Sequence, residues 1–221
     1  MKHFLVVLIA CLVPSLVLQA KSPPPSSWES EIRAFETADR TANPAMGGVL
    51  FVGSSSIRLW PDLAGDFPGV STINRGFGGS EIADATHFVD RIIVPYAPRQ
   101  VVLYAGDNDL MNGRTPEAVA SAFMAFVDAI RIRLPTVRIS FIAIKPSPAR
   151  AQLLSRASTA NALIRRFAAG AVDVDFIDIH TPMLDAHGAP RPELFVDDGL
   201  HLNAHGYRLW RIAVAPYLRA P

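Results

Sequence analysis

Five short apolar runs recur along the chain, separated by longer segments of helical character: GVLFVG near 48–53, VSTINRG at 70–76, QVVLYAG at 100–106, VRISFIAIK at 137–145 and VDFIDI at 174–179. This alternation constrains the fold more than any other feature. Strands that are apolar on both faces and separated by helices imply a parallel sheet covered on both sides. The intervening helical candidates lie at about 80–92, 116–134 and 151–170, with a last one near 204–219. Ahead of the first strand, WESEIRAFETADR sets Trp28, Ile32 and Phe35 at helical spacing, the pattern of an amphipathic helix packed over the domain. The expected architecture is a three-layer α/β/α sandwich around a five-stranded parallel sheet. The chain has 221 residues, half of them hydrophobic, which suits one domain with a substantial core.

Before that domain, MKHFLVVLIACLVPSLVLQA has a basic start and an apolar stretch from Phe4 to Leu18 interrupted by Pro14, the layout of an export signal. The division expected is a signal peptide over 1–20, a Pro/Ser-rich linker over 21–27 and the folded domain over 28–221. Export to the periplasm or beyond follows. The apolar run falls short of the about 20 residues that span a bilayer, so a permanent membrane span is the weaker reading. LIAC, ending at Cys11, resembles a lipoprotein lipobox, but the apolar run continues past the cysteine, and a lipid anchor through Cys11 is the less favoured alternative. Cys11 is the only cysteine, so the exported domain has no disulfide, thiolate metal site or cysteine nucleophile. With 21 basic and 20 acidic residues the formal charge is +1, which gives no electrostatic case for nucleic acid or an anionic membrane surface. A neutral or locally steered ligand is the better default, and oligomeric state is not readable.

In a doubly wound α/β fold, ligands bind outside the carboxyl ends of the strands. The residues there read Ser54-Ser55-Ser56, Gly76-Phe77-Gly78-Gly79-Ser80, Gly106-Asp107-Asn108-Asp109, Lys145-Pro146-Ser147 and, after the fifth strand, DDGLHLN over Asp197–Asn203. Ester hydrolysis by a serine needs a hydroxyl, an imidazole to take its proton, a carboxylate to hold the imidazole tautomer, and donors for the oxyanion. All four residue types fall on this one edge. Asp198 and His201 are close enough for a single loop to supply orienter and base. Asn108 offers an amide donor, and Gly79, lacking Cβ, lets a main-chain N–H approach a ligand.

These blocks resemble the SGNH, or GDSL, hydrolase superfamily: GSSS (Gly53–Ser56), GFGGS (Gly76–Ser80), GDND (Gly106–Asp109) and DGLH (Asp198–His201) occur in the family's order. The resemblance implies the flavodoxin-like SGNH hydrolase fold. It places the nucleophile two positions after Gly53, at Ser55, with His201 as base and Asp198 as its partner. It makes Gly79, Asn108 and the N–H of Ser55 the oxyanion hole. It needs no metal and no organic cofactor. Ser54 stands where the family usually has Asp, which leaves open how the turn is braced.

Other readings of the same residues are weaker. A serine at a strand-to-helix turn is by itself a helix cap, and that role is expected for Ser54 and Ser56. Gly76 and Gly78 fit a tight turn. Asp107 and Asp109 fail the EF-hand pattern, because Met111 and Asn112 occupy its required positions, and are read as turn-fixing acids. HLNAH, His201–His205, imitates a zinc-peptidase helix but has Leu202 in place of the adjacent Glu. An α/β-hydrolase elbow would need Gly where Ile57 stands. Arg75, Phe77 and Lys145 are expected to border the cleft and help select the substrate. The expectation is an exported serine ester hydrolase forming an acyl-enzyme, acting on acetyl or short-chain esters of a carbohydrate or small molecule. The rival, from another class, is an inactive glycan-binding envelope protein on the same fold.

Overall fold

A computed structural model of the chain describes residues 25–42 and 44–218. The expected export segment, Cys11 and most of the linker lie outside the described residues; the end of the linker forms, with Trp28, a 3-10 turn over Pro25–Trp28. The five strands are β1 (Val49–Gly53), β2 (Thr72–Gly76), β3 (Gln100–Tyr104), β4 (Arg138–Ile142) and β5 (Val174–Ile177). They form one all-parallel sheet in the order β2-β1-β3-β4-β5. β1 and β2 end with their apolar runs, whereas β3, β4 and β5 stop two or three residues short of the carboxyl ends of theirs. Ala105–Gly106 and Ala143–Lys145 leave the ladder while still buried, and these departing segments carry the polar residues of the sheet's upper edge.

Nine α-helices connect and cover the described strands: α1 (Glu29–Ala42), α2 (Ser55–Arg58), α3 (Leu63–Asp66), α4 (Ile82–His87), α5 (Val89–Ile92), α6 (Asp107–Met111), α7 (Pro116–Arg133), α8 (Leu154–Gly170) and α9 (Ala204–Val214). The single helix expected at 80–92 is broken at Phe88, whose ring is buried against Phe77. α7 starts where the sequence puts a Thr-Pro pair: the Thr115 hydroxyl accepts from the Ala118 N–H, and Pro116 takes the first helical position.

Period-2 alternation divides the strand side chains between two cores. Leu50, Val52, Val101, Leu103, Ile139 and Phe141 face α1, α4, α5, α7 and α8. Val49, Phe51, Val102, Tyr104, Ile142 and Ile177 face the other side, where Ile57 of α2 and Tyr207, Trp210 and Val214 of α9 cover them. Trp28 and Ile32 are buried in the first core and Phe35 packs at its margin, as the spacing at the start of α1 implies. Among the described residues no helix is long and apolar enough to cross a membrane.

The register levels the edge that carries the glycines. Gly53 pairs with Gly76 on one side and with Tyr104 on the other, so β2, β1 and β3 end at the same height. The loops that follow them therefore leave side by side, with Ser55 in the middle.

Candidate active site

The turn after β1 is built by main-chain contacts. Gly53 has φ +127, and a Cβ there would lie 1.9 Å from the Tyr104 carbonyl oxygen, so only glycine fits between the strands. Ser54 N–H donates to that same carbonyl at 2.9 Å, while Phe77 N–H donates to the Gly53 carbonyl at 2.8 Å. The Ser54 carbonyl then accepts from Ile57 and Arg58 N–H, closing α2. This backbone lattice holds the turn without an aspartate. The expected capping roles of the neighbouring serines are corrected. Ser54 stands at the N-cap position but its hydroxyl makes no cap bond, and Ser56 lies inside α2; both hydroxyls are buried with no partner among the described residues. Of the three serines, Ser55 alone is part-exposed.

His201 and Asp198 reach Ser55 from the far end of the sheet. The segment after β5 folds back beneath α9, burying Met183, Leu194, Phe195 and Leu202 in the second core. A single antiparallel bridge, Phe195 to Leu202, and the Val196 N–H to His201 carbonyl bond at 2.9 Å fold Asp197–His201 into a compact loop. Asn203 anchors its base: the side-chain oxygen accepts from His205 and Gly206 N–H to cap α9, and the amide donates to the Glu193 and Phe195 carbonyls. Tyr207 Oη donates to the Ser56 carbonyl at 3.0 Å, tying α9 to the serine turn. The result is a continuous line. Asp198 Oδ2 lies 2.6 Å from His201 Nδ1, and His201 Nε2 lies 3.0 Å from Ser55 Oγ.

The other carboxylate oxygen, Asp198 Oδ1, accepts from Leu200 N–H at 2.8 Å and His201 N–H at 2.9 Å. The His201 N–H bond, with the ring contact and the Leu200 N–H, holds the Asp198 carboxyl down at about 2. Being an acceptor only, the carboxylate requires the proton on Nδ1 and leaves the Nε2 lone pair facing Ser55 Oγ.

Gly79 and Asn108 stand on the loops flanking Ser55. Gly79 has φ +79, with open space where a Cβ would project. Among the described residues, neither its main-chain N–H nor that of Ser55 has a hydrogen-bond partner. Asn108 Nδ2 donates one hydrogen to the Ser80 carbonyl at 3.0 Å, which leaves the other free. The structure thus gathers Ser55, Asp198 and His201 in direct contact and sets Gly79 and Asn108 on the adjoining loops.

The three residues expected to border the cleft are all buried, and of them only Lys145 lies beside the site, behind Asn108. Phe77 is fully buried between Trp28 and Phe88, and Arg75 is buried against Tyr96 and Asp39. Lys145 is buried too, its Nζ 2.9 Å from Asp107 Oδ2 and 3.0 Å from Tyr104 Oη. Alternation explains the first two: Arg75 and Phe77 are two positions apart and share one face, where Asp39 and Phe35 of α1 meet Arg75 and Trp28 meets Phe77. Lys145 lies on the buried tail of β4, and burial lowers its ammonium below the usual lysine range despite Asp107. Asp107 itself is pushed up by burial and pulled further down by the charges of Lys145 and Arg150, ending below the ordinary carboxylate range. Asp107 and Asp109 do more than fix a turn: Asp107 anchors this buried pair, and Asp109 Oδ1 accepts from Ile82 N–H at 3.3 Å. Sequence reasoning also passed over Tyr207, Asn203 and Arg150. The only signal for the last was its place in KPSPAR, just after β4.

The fold is a parallel α/β sandwich with a Ser–His–Asp line at the carboxyl end of β1, an arrangement of the kind that serine hydrolases use. The family model described as GDSL-like Lipase/Acylhydrolase matches residues 41–209, and the chain belongs to that family. Among curated proteins none matches in sequence. Solved structures share the fold. A protein from Streptococcus pneumonia named for platelet activating factor superposes with TM-score 0.77 at 19% identity, over 88% of this chain and 94% of its own. A GDSL-like lipase from Bacteroides thetaiotaomicron VPI-5482 gives 0.68 at 19% identity, over 85% and 97%. A mutant of an acetyl-xylooligosaccharide esterase from Geobacillus Stearmophilus gives 0.61 at 13% identity, over 80% and 99%.

Proposed function

We propose that the chain is a serine ester hydrolase that works through an acyl-enzyme on acetyl or short-chain esters of a carbohydrate or small molecule. The observation that carries this reading is the unbroken Asp198–His201–Ser55 line, 2.6 Å and 3.0 Å between successive atoms. In the first half-reaction Ser55 Oγ attacks the acyl carbon and its proton passes to His201 Nε2. Asp198 steadies the imidazolium through Nδ1–H. The oxyanion is held by the N–H groups of Ser55 and Gly79 and by the free Nδ2 hydrogen of Asn108, each donor being worth about 10²-fold in rate. Collapse breaks the ester bond, and the departing alcohol takes the proton from Nε2. Water then attacks the acyl carbonyl, gives a proton to Nε2, and the carboxylic acid leaves as Ser55 regains its hydrogen.

The choice of acyl and alcohol groups rests on analogy with the acetyl-xylooligosaccharide esterase of the same fold. Export to the periplasm or beyond rests on the pattern of residues 1–20. A fluorophosphonate probe tests the chemistry. Labelling of the wild type, lost in Ser55→Ala and kept in Ser54→Ala and Ser56→Ala, is the expected result. Absence of labelling in every form turns the reading toward a glycan-binding protein. p-Nitrophenyl esters of increasing acyl length, set beside acetylated oligosaccharides, then fix the substrate class.

A further inference from the structure

We propose that Arg150 is a positioning residue that fixes the direction of the Asn108 side-chain amide toward the oxyanion. The inference rests on the ester-hydrolase reading for its catalytic consequence. An asparagine amide has two ends of nearly equal size, and a flip exchanges a donor for an acceptor. Here each end meets a group that tolerates only one choice. The Ser80 carbonyl, 3.0 Å from Nδ2, accepts only. The Arg150 guanidinium, with Nη2 3.0 Å from Oδ1, donates only. The second Nδ2 hydrogen is thereby left for a ligand. A cation on Oδ1 also draws electron density from the amide nitrogen, which strengthens Nδ2–H as a donor.

Arg150 is itself held in place. Its side chain is 16% exposed, and Nη1 lies 3.2 Å from Asp107 Oδ2, an ion pair rather than a well-aimed hydrogen bond. The same Asp107 oxygen binds the buried Lys145 Nζ at 2.9 Å, and Lys145 donates on to Tyr104 Oη at 3.0 Å. Two cations and one carboxylate thus stand behind Asn108, with net positive charge directed at its oxygen. The Ala149 N–H to Gly199 carbonyl bond at 3.0 Å joins the Arg150 segment to the loop that carries Asp198 and His201. One short stretch after β4 therefore braces both sides of the candidate site.

The test is a double-mutant cycle on p-nitrophenyl acetate hydrolysis with Arg150→Ala, Asn108→Ala, the pair, and Arg150→Lys, each checked for folding by thermal melting. Arg150→Ala is expected to lower kcat about 10- to 100-fold with KM within about twofold, and Arg150→Lys to recover part of the loss. On the Asn108→Ala background, removal of Arg150 is expected to cost little more, because its effect runs through the missing amide. Equal losses on both backgrounds, or an unchanged kcat, overturn the proposal. The Asn108 side-chain 15N–1H resonances give a readout free of turnover: a protected pair in the wild type that becomes solvent-like in Arg150→Ala. Unmoved resonances refute the positioning whether or not the protein hydrolyses esters. A wild type that neither turns over nor labels, yet shows this change, removes the hydrolase reading and leaves the positioning intact.

Discussion

Replacing Asp198 by Asn separates orientation from mere proximity, and the structure dictates the outcome. The two oxygens of Asp198 face different partners: Oδ1 receives two main-chain N–H groups, from Leu200 and His201, and Oδ2 receives His201 Nδ1. An Asn side chain has one oxygen to place. Two fixed N–H donors outweigh one rotatable ring, so the oxygen stays at the Oδ1 position and the NH2 turns toward Nδ1. That NH2 can only donate, which forces Nδ1 to become the acceptor and moves the ring proton to Nε2. Nε2–H then points at Ser55 Oγ, 3.0 Å away, and cannot take its proton. The loop survives, since both main-chain bonds are kept, and the melting temperature is expected to move by only a few degrees. The rate is expected to fall about 10⁴-fold, the loss seen when a triad histidine is held in the wrong tautomer, equivalent to about 5.4 kcal/mol of barrier. Steady-state hydrolysis of p-nitrophenyl acetate gives kcat, and long-range 15N–1H spectra of the imidazole give the tautomer. A variant within tenfold of wild type in kcat, or one that keeps its proton on Nδ1, refutes the reasoning.

Gly53→Ala is expected to destabilise by about 3 kcal/mol or more, because its Cβ would meet the Tyr104 carbonyl oxygen at 1.9 Å and its φ is +127; a urea midpoint like that of wild type contradicts this. Ser54→Ala removes a buried hydroxyl with no partner and is expected to leave labelling by a fluorophosphonate intact while raising stability by up to about 1 kcal/mol; a clear loss of stability would reveal an acceptor for that hydroxyl. Asp109 is raised from 3.8 to about 7, by burial first and then by the charge of Glu81. Its folded pKa exceeds the unfolded one, so its cost is absent below pH 3.8, grows as pH rises toward about 7, and levels off above. Asp109→Asn is therefore expected to match wild type in melting temperature near pH 4 and exceed it near pH 8. Asp84, raised to about 6 chiefly by burial, keeps part of the slope in the variant. Parallel wild-type and variant curves across this range defeat the assignment.

The architecture was legible in the sequence because burial on both faces of a parallel sheet leaves short apolar runs, and their length and regular alternation with longer helical segments distinguish them from buried helix. The helix starts were legible where a cap chemistry marks them, as at Thr115-Pro116. Residue spacing also set Asp198 beside His201, since both sit within one loop. What spacing does not carry is the contact of His201 with Ser55, 146 positions apart. That contact depends on the segment after β5 folding back beneath α9 and on the Tyr207 to Ser56 bond, which are long-range packing outcomes with no local pattern. Burial was the least legible quantity: Arg75 and Lys145 look like surface cations and are interior ones, because their partners Asp39 and Asp107 reach them only in the folded chain. The sequence by itself determined the layers, the strand edge and the residue types upon it. Tertiary structure supplied the contact between Ser55 and the imidazole, and the way a turn without the usual aspartate is held: by main-chain bonds to β3 and from the loop after β2, packed so closely that neither Gly53 nor Gly76 has room for a Cβ.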